Sequence, residues 1–110
     1  MKLPNAENAV VDIAKLRDYC LSTTHDVGKH KAWVFNSSLG LTSDDADELR
    51  GALLDAAQML DALVGEQDEY GQRYTLDFIM VGTSGHAAIR SGWIVLAGED
   101  FARLTTCYVL

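Results

Sequence analysis

The period of the apolar residues changes once along this chain, at Tyr70-Gly71, and that change restricts the folds open to it. Upstream, Ala46, Leu49, Leu53, Ala56, Ala57 and Leu60 recur every three or four positions, as on one face of a helix. Downstream, Tyr74, Leu76, Phe78 and Met80 alternate with Arg73, Thr75 and Asp77, as on the two faces of a strand. Helices first and strands second give separate layers. The expected fold is α+β, with three N-terminal helices packed on one face of a C-terminal antiparallel meander of three to four strands.

The helical half divides at its polar residues. Residues 1–11 read as an irregular arm, because Pro4 has no backbone donor and Asn5 and Asn8 favour turns; Leu3, Val10 and Val11 can pin it to the domain. Asp12 caps a first helix running to about Leu21, with Ile13, Leu16 and Cys20 on one face. Residues 22–26 form a polar connector. A second helix is expected at about Val27 to Ser37, closed by a C-cap glycine, Gly40. Thr42 or Ser43 then caps the longest helix, whose first turn holds Asp44, Asp45 and Asp47 where the helix dipole favours acids. It runs to about Leu60. Residues 61–69 read as frayed helix or a short edge strand around Ala62-Leu63-Val64, with Gly65–Glu69 as a loop.

Three strands follow, at Arg73–Val81, His86–Leu96 and Arg103–Val109, joined by a hairpin at Gly82–Gly85 and a turn at Ala97–Asp100. The face holding Leu76, Phe78, Met80, Ile89, Trp93 and Leu104 is the expected core. In the last strand strict alternation puts Leu104, Thr106 and Tyr108 opposite Arg103, Thr105 and Cys107. Nothing marks a linker or repeat, so residues 1–110 are read as one domain.

The net charge of −7 argues at first against a nucleic-acid partner, since phosphate binding is electrostatic. Its distribution changes that inference. Residues 43–69 carry nine acids against one base, Arg50, whereas the remaining chain has seven acids and eight bases. The acidity belongs to one helix and its flank. No apolar run approaches the ~18 residues of a membrane span, and the N-terminus lacks the apolar stretch of a secretory signal. A cytoplasmic protein is expected. Cys20 and Cys107, far apart in sequence, suit buried thiols better than a metal pair.

The only basic cluster is Lys29-His30-Lys31, at the start of the second helix, where free N–H groups and the helix dipole favour an anion. A histidine can take or give the proton of a ribose 2′-hydroxyl while neighbouring lysines balance phosphate charge. Arg90 can grip a phosphate in two places. Thr105, Thr106 and Tyr108 offer hydroxyls from the last strand, although such residues are also good strand formers. Metal-ligand spacings, phosphate-cradling glycine loops and dinucleotide fingerprints are missing from the sequence, so no cofactor and no metal is expected.

Several separate motifs carry a resemblance across nearly the whole chain. They are Leu3-Pro4-Asn5-Ala6-Glu7, Gly28-Lys29-His30-Lys31-Ala32 with Phe35, Tyr70-Gly71-Gln72-x-Tyr74, and the ending from Trp93-Ile94-Val95 to Arg103-Leu104-Thr105-Thr106-Cys107-Tyr108. Together they resemble a small uncharacterised bacterial domain that occurs alone and at the C-termini of toxin-like proteins. Its layout is in turn similar to the barnase/EndoU/colicin/RelE-like ribonucleases, which cleave RNA without metal.

That resemblance implies a ribonuclease toxin with a cognate antitoxin or immunity partner. His30, Lys31, Arg90 and Tyr108 would be catalytic, and Lys29, Trp33, Thr105 and Thr106 would bind phosphate or RNA. The resembled pattern carries a basic residue where this chain has Trp33. The indole therefore implies either an inactive copy or a base-stacking platform. A second reading keeps the domain non-catalytic, an antitoxin, immunity or regulatory protein whose acidic helix at 43–69 holds a basic partner. A third makes it a small-molecule binder on the open sheet face.

Overall fold

The computed structural model describes residues 1–26 and 28–110. It has three helices in the N-terminal half and a four-stranded antiparallel sheet at the C-terminus, in the order β1-β2-β3-β4. Here α1 is Ile13–Lys15, α2 Lys29–Leu39, α3 Ala46–Met59, β1 Leu63–Gln67, β2 Gly71–Gly82, β3 Gly85–Leu96 and β4 Arg103–Val109. No helix among the described residues is long and apolar enough to cross a membrane.

The first helix starts where expected, with the Asp12 carboxylate accepting from Ala14 N–H at 3.0 Å. It does not continue as a regular α-helix to Leu21. After Lys15 it widens into a π-helical turn, Leu16–Cys20, closed by Leu21 N–H donating to the Leu16 carbonyl at 2.8 Å. The wide turn sends both Leu16 and Cys20 into the core, where each is fully buried. The N-terminal arm passes the edge of β4. Val10 bridges Arg103 in parallel, its N–H donating to Ala102 O and its carbonyl accepting from Leu104 N–H. Leu3 and Val11 are buried, whereas Val10 lies on the surface.

The α2 helix is described from Lys29; its expected start at Val27 lies outside the described residues. It runs two residues past the expected Ser37, to Leu39, because Gly40 at φ 74° supplies the left-handed cap and donates to Asn36 O. Ala32, Phe35 and Leu39 are its inward residues. Thr42 opens the next segment with a reciprocal capping box: Asp44 N–H donates to Thr42 Oγ1 and Thr42 N–H to Asp45 Oδ2.

Residues 63–67 are strand, so Gly65–Gln67 are not loop. The strand pairs with β2 only at Leu63↔Thr75, Val64↔Tyr74 and Gln67↔Gln72, with an irregularity between Val64 and Gln67. The Gln72 side chain fills that irregularity, donating to Gly65 O at 2.9 Å and Glu66 O at 3.3 Å. β2 and β3 pair over their full lengths from the hairpin at Gly82↔Gly85 to Gly71↔Leu96. Leu76, Phe78, Met80, Ile89, Trp93 and Leu104 are all buried against the helices.

Strict alternation fails in β4. The register shifts between Gly92 and Trp93, so that Trp93 faces Leu104 while Gly92 faces Thr106. Thr105 is the extra residue of a bulge, which reverses the faces downstream. Cys107 therefore joins Leu104 in the core, fully buried, and Thr106 and Tyr108 turn to the open face.

Candidate functional site

The long β2–β3 hairpin and the β4 bulge together build one row across the open face, Asp77, Arg90 and Tyr108. Arg90 donates from Nε to Asp77 Oδ1 at 2.9 Å and from Nη2 to Asp77 Oδ2 at 2.8 Å. This bidentate pair is about two-fifths exposed on each side. It holds the Asp77 carboxyl below its ordinary range and drives the Arg90 guanidinium further up, with Tyr108 close enough to add to that push. Two of the roughly five guanidinium N–H donors are engaged by Asp77, and Tyr108 stands within hydrogen-bonding reach of the group.

Lys31 reaches the same row from the helix layer. Its Nζ lies 4.7 Å from the centre of the Tyr108 ring, a cation–π contact over the edge of the sheet. Lys31, Tyr108 and Arg90 are therefore contiguous, although they come from the second helix and the last two strands. Thr106, opposite Gly92, sits on the same face in the neighbouring row. Thr105, the bulge residue, also brings its hydroxyl beside Gly92, 3.0 Å from where a Cβ would stand; its carbonyl accepts from Lys15 Nζ at 3.4 Å.

The other expected residues spread around α2. Because successive helical residues turn by about 100°, His30 faces outward, one position round from Lys31, and is exposed. Trp33 lies on the opposite flank, 57% exposed, beside Thr23, Thr42 and Ser43. It does not join the Lys31–Tyr108 contact. Lys29 is half-buried on the first turn. Two of the N–H groups expected to be free there are taken: Gly28 N–H donates to His25 Nδ1 at 3.1 Å and Lys29 N–H to His25 O at 3.0 Å. His25, read from sequence as part of a polar connector, is in effect the cap of this helix and stands edge-on to Tyr19 at 4.7 Å. Gly28 is required here, since a Cβ would sit 2.5 Å from the Tyr19 carbonyl oxygen.

Beneath Lys31 the two cysteines meet. Cys20 on the π turn and Cys107 on β4 are both buried and free. The hydrogen bond from Cys107, helped by Lys15 and Lys31, pushes the Cys20 thiol down to about 7. The same contact and burial hold the Cys107 proton far above the ordinary thiol range. Sequence separation concealed this pair.

A family model covers residues 2–110, and its description is a domain of unknown function, DUF6883. The chain belongs to the DUF6883 family. Among solved structures, a chain of the contact-dependent growth inhibition toxin–immunity protein complex from Klebsiella pneumoniae 342 superposes on this DUF6883 domain with a TM-score of 0.70. The likeness covers 92% of this chain and 99% of that one at 18% identity, and it establishes a shared fold. No curated protein matches the chain.

Proposed function

We propose that this DUF6883 domain is a toxin-type ribonuclease that works without metal, partnered in its host by a cognate antitoxin or immunity protein. The observation that carries the reading is the convergence of Lys31, Tyr108 and Arg90 at one edge of the open sheet face. Its fold, shared with a chain of a toxin–immunity complex, supports the same class.

In this reading a scissile phosphate lies against Lys31 and Arg90, with the Tyr108 and Thr106 hydroxyls beside it. His30 removes the proton of the 2′-hydroxyl, which attacks phosphorus. The 5′-oxygen leaves and takes up a proton, giving a cyclic phosphate. Lys31 and Arg90 offset the charge that builds on the phosphoryl oxygens, and Lys29, further round α2, meets a phosphate elsewhere on the strand. Asp77 holds the guanidinium in place at the cost of part of its charge. Trp33, across α2, offers a stacking surface for a base further along the strand.

Incubation of purified protein with total tRNA, rRNA and mRNA in EDTA tests this. Cleavage that disappears in His30→Ala and Lys31→Ala supports it; intact RNA, also with Trp33→Arg, refutes it.

A second reading, a non-catalytic antitoxin, immunity or regulatory module, is favoured by α3. Asp47, Glu48 and Asp55 are all exposed along one groove. Charge reversal of Asp44, Asp47 and Asp55 would then weaken a basic partner's binding.

A further inference from the structure

A groove lies at the other edge of the sheet from the Lys31–Tyr108 contact. It encloses about 600 Å³ between α3 and the β2 segment Phe78–Val81. It exists because β1 is short: β1 pairs with β2 no further than Thr75, while β2 continues to Gly82. Beyond Thr75 the outer edge of β2 has no neighbouring strand among the described residues. Ala97 N–H bonds to Tyr70 O, so by alternation the even-numbered residues of β2 face β3. The N–H and C=O groups of Asp77, Ile79 and Val81 therefore point away from β3 along this outer edge, and Ile79 and Val81 line the groove. This open edge is about 17 Å long.

Natural sheets cover or charge such edges. Here the side chains above and below the edge differ in kind. On the open face stand Ile79 and Val81, 65% and 74% exposed. On the helix side the wall of α3 presents Asp47, Glu48 and Asp55, and no basic residue is among the described residues lining the groove. Gly51, midway along α3, widens it. A Cβ there would meet nothing within 4 Å, so packing does not demand the glycine, which costs a helix interior about 1 kcal/mol.

We infer that this groove takes an extended segment of a partner protein, added as a fifth strand to the free edge of β2. The segment alternates basic residues, facing α3, with apolar residues beside Ile79 and Val81. A second copy of this chain fits poorly, because pairing β2 with itself sets the two acidic helices against each other. The inference rests on the reading that a partner docks on the acidic helix and adds how it docks. It is independent of the nuclease chemistry.

The test uses the full chain, isotope-labelled, with two capped peptides as probes, Lys-Val-Lys-Val-Lys-Val-Lys and the same sequence with glutamate for lysine. The lysine peptide is expected to bind at least about tenfold more tightly, a difference of about 1.4 kcal/mol. It should also slow amide exchange at Asp77, Ile79 and Val81 by at least about tenfold, as new ladder hydrogen bonds do. Gly51→Arg, which places a cation in the groove, should abolish both effects while leaving the fold intact. Lysine-dependent binding without protection at those three amides overturns strand addition and leaves acidic-helix docking standing. Equal binding of both peptides, or none, overturns both. Sedimentation showing a dimer that Gly51→Arg dissolves overturns the choice of occupant.

Discussion

Ser91→Ala tests the packing logic of the sheet more sharply than any apolar truncation. Ser91 is the one polar residue fully buried in the core among the described residues. Its hydroxyl donates to Leu76 O at 2.6 Å and accepts from Trp93 Nε1 at 2.9 Å, so a single oxygen satisfies the buried indole. The backbone ladder still serves Leu76 O after the substitution. Ser91 Oγ is the indole N–H's acceptor among the described residues. One neutral hydrogen bond is worth about 1 kcal/mol and an orphaned buried donor costs about 1–3 kcal/mol, so a loss of roughly 2–3 kcal/mol is expected. For a domain of this size that lowers Tm by roughly 10 °C or more. Urea unfolding followed by tryptophan emission measures it, because Trp93 is buried while Trp33 is already exposed. In a Trp93→Phe background, followed by circular dichroism, Ser91→Ala should cost about 1 kcal/mol less, since no donor is orphaned. A loss below about 1 kcal/mol in the wild-type background, or no coupling in the cycle, refutes the assignment.

Two other outcomes follow from the ion pairs and the thiols. The carboxyls of Asp77, Asp68 and Glu99 are each held down first by a hydrogen bond from an arginine, Arg90, Arg73 and Arg103 respectively. Their stabilising contribution is present above the ordinary values of 3.8 and 4.5 and is lost as the pH falls through the lowered ones. Urea midpoints should therefore decline on acidification below about pH 4, by a small amount because the pairs are exposed, and Asp77→Asn should flatten the decline; a midpoint insensitive to acid contradicts it. Mild diamide oxidation should join Cys20 to Cys107 within one chain, because the Cys20 thiolate forms near neutral pH beside its partner. Peptide mapping under non-reducing conditions reads this directly, and two thiols still titratable after oxidation and unfolding contradict it.

What the sequence made legible was local, and what it hid was register. The caps Asp12, Gly40 and Thr42 lie within a few residues of the groups they serve, so turn chemistry alone places them. The core face of β2 and β3 follows from uninterrupted alternation. β4 broke the pattern because a bulge moves one residue without any change in composition, and so Thr106, Cys107 and Tyr108 changed faces. The Asp77–Arg90 pair was within reach: counting back equally from the Gly82–Gly85 hairpin sets the two opposite each other. The Cys20–Cys107 contact and the seat of Lys31 on Tyr108 depend on how α2 lies over the edge of the sheet, and no spacing along the chain encodes that. The placement of His30 and Trp33 on other sides of α2 follows from the helical turn once the inward residues Ala32, Phe35 and Leu39 are known.

RNA cleavage in EDTA decides the central claim. The purified chain and Trp33→Arg are incubated with total tRNA, rRNA and mRNA and the products resolved on a denaturing gel with end-group analysis. Cyclic-phosphate ends from at least one of the two proteins, lost in His30→Ala and Lys31→Ala, are the predicted result. Intact tRNA, rRNA and mRNA with both proteins would contradict it.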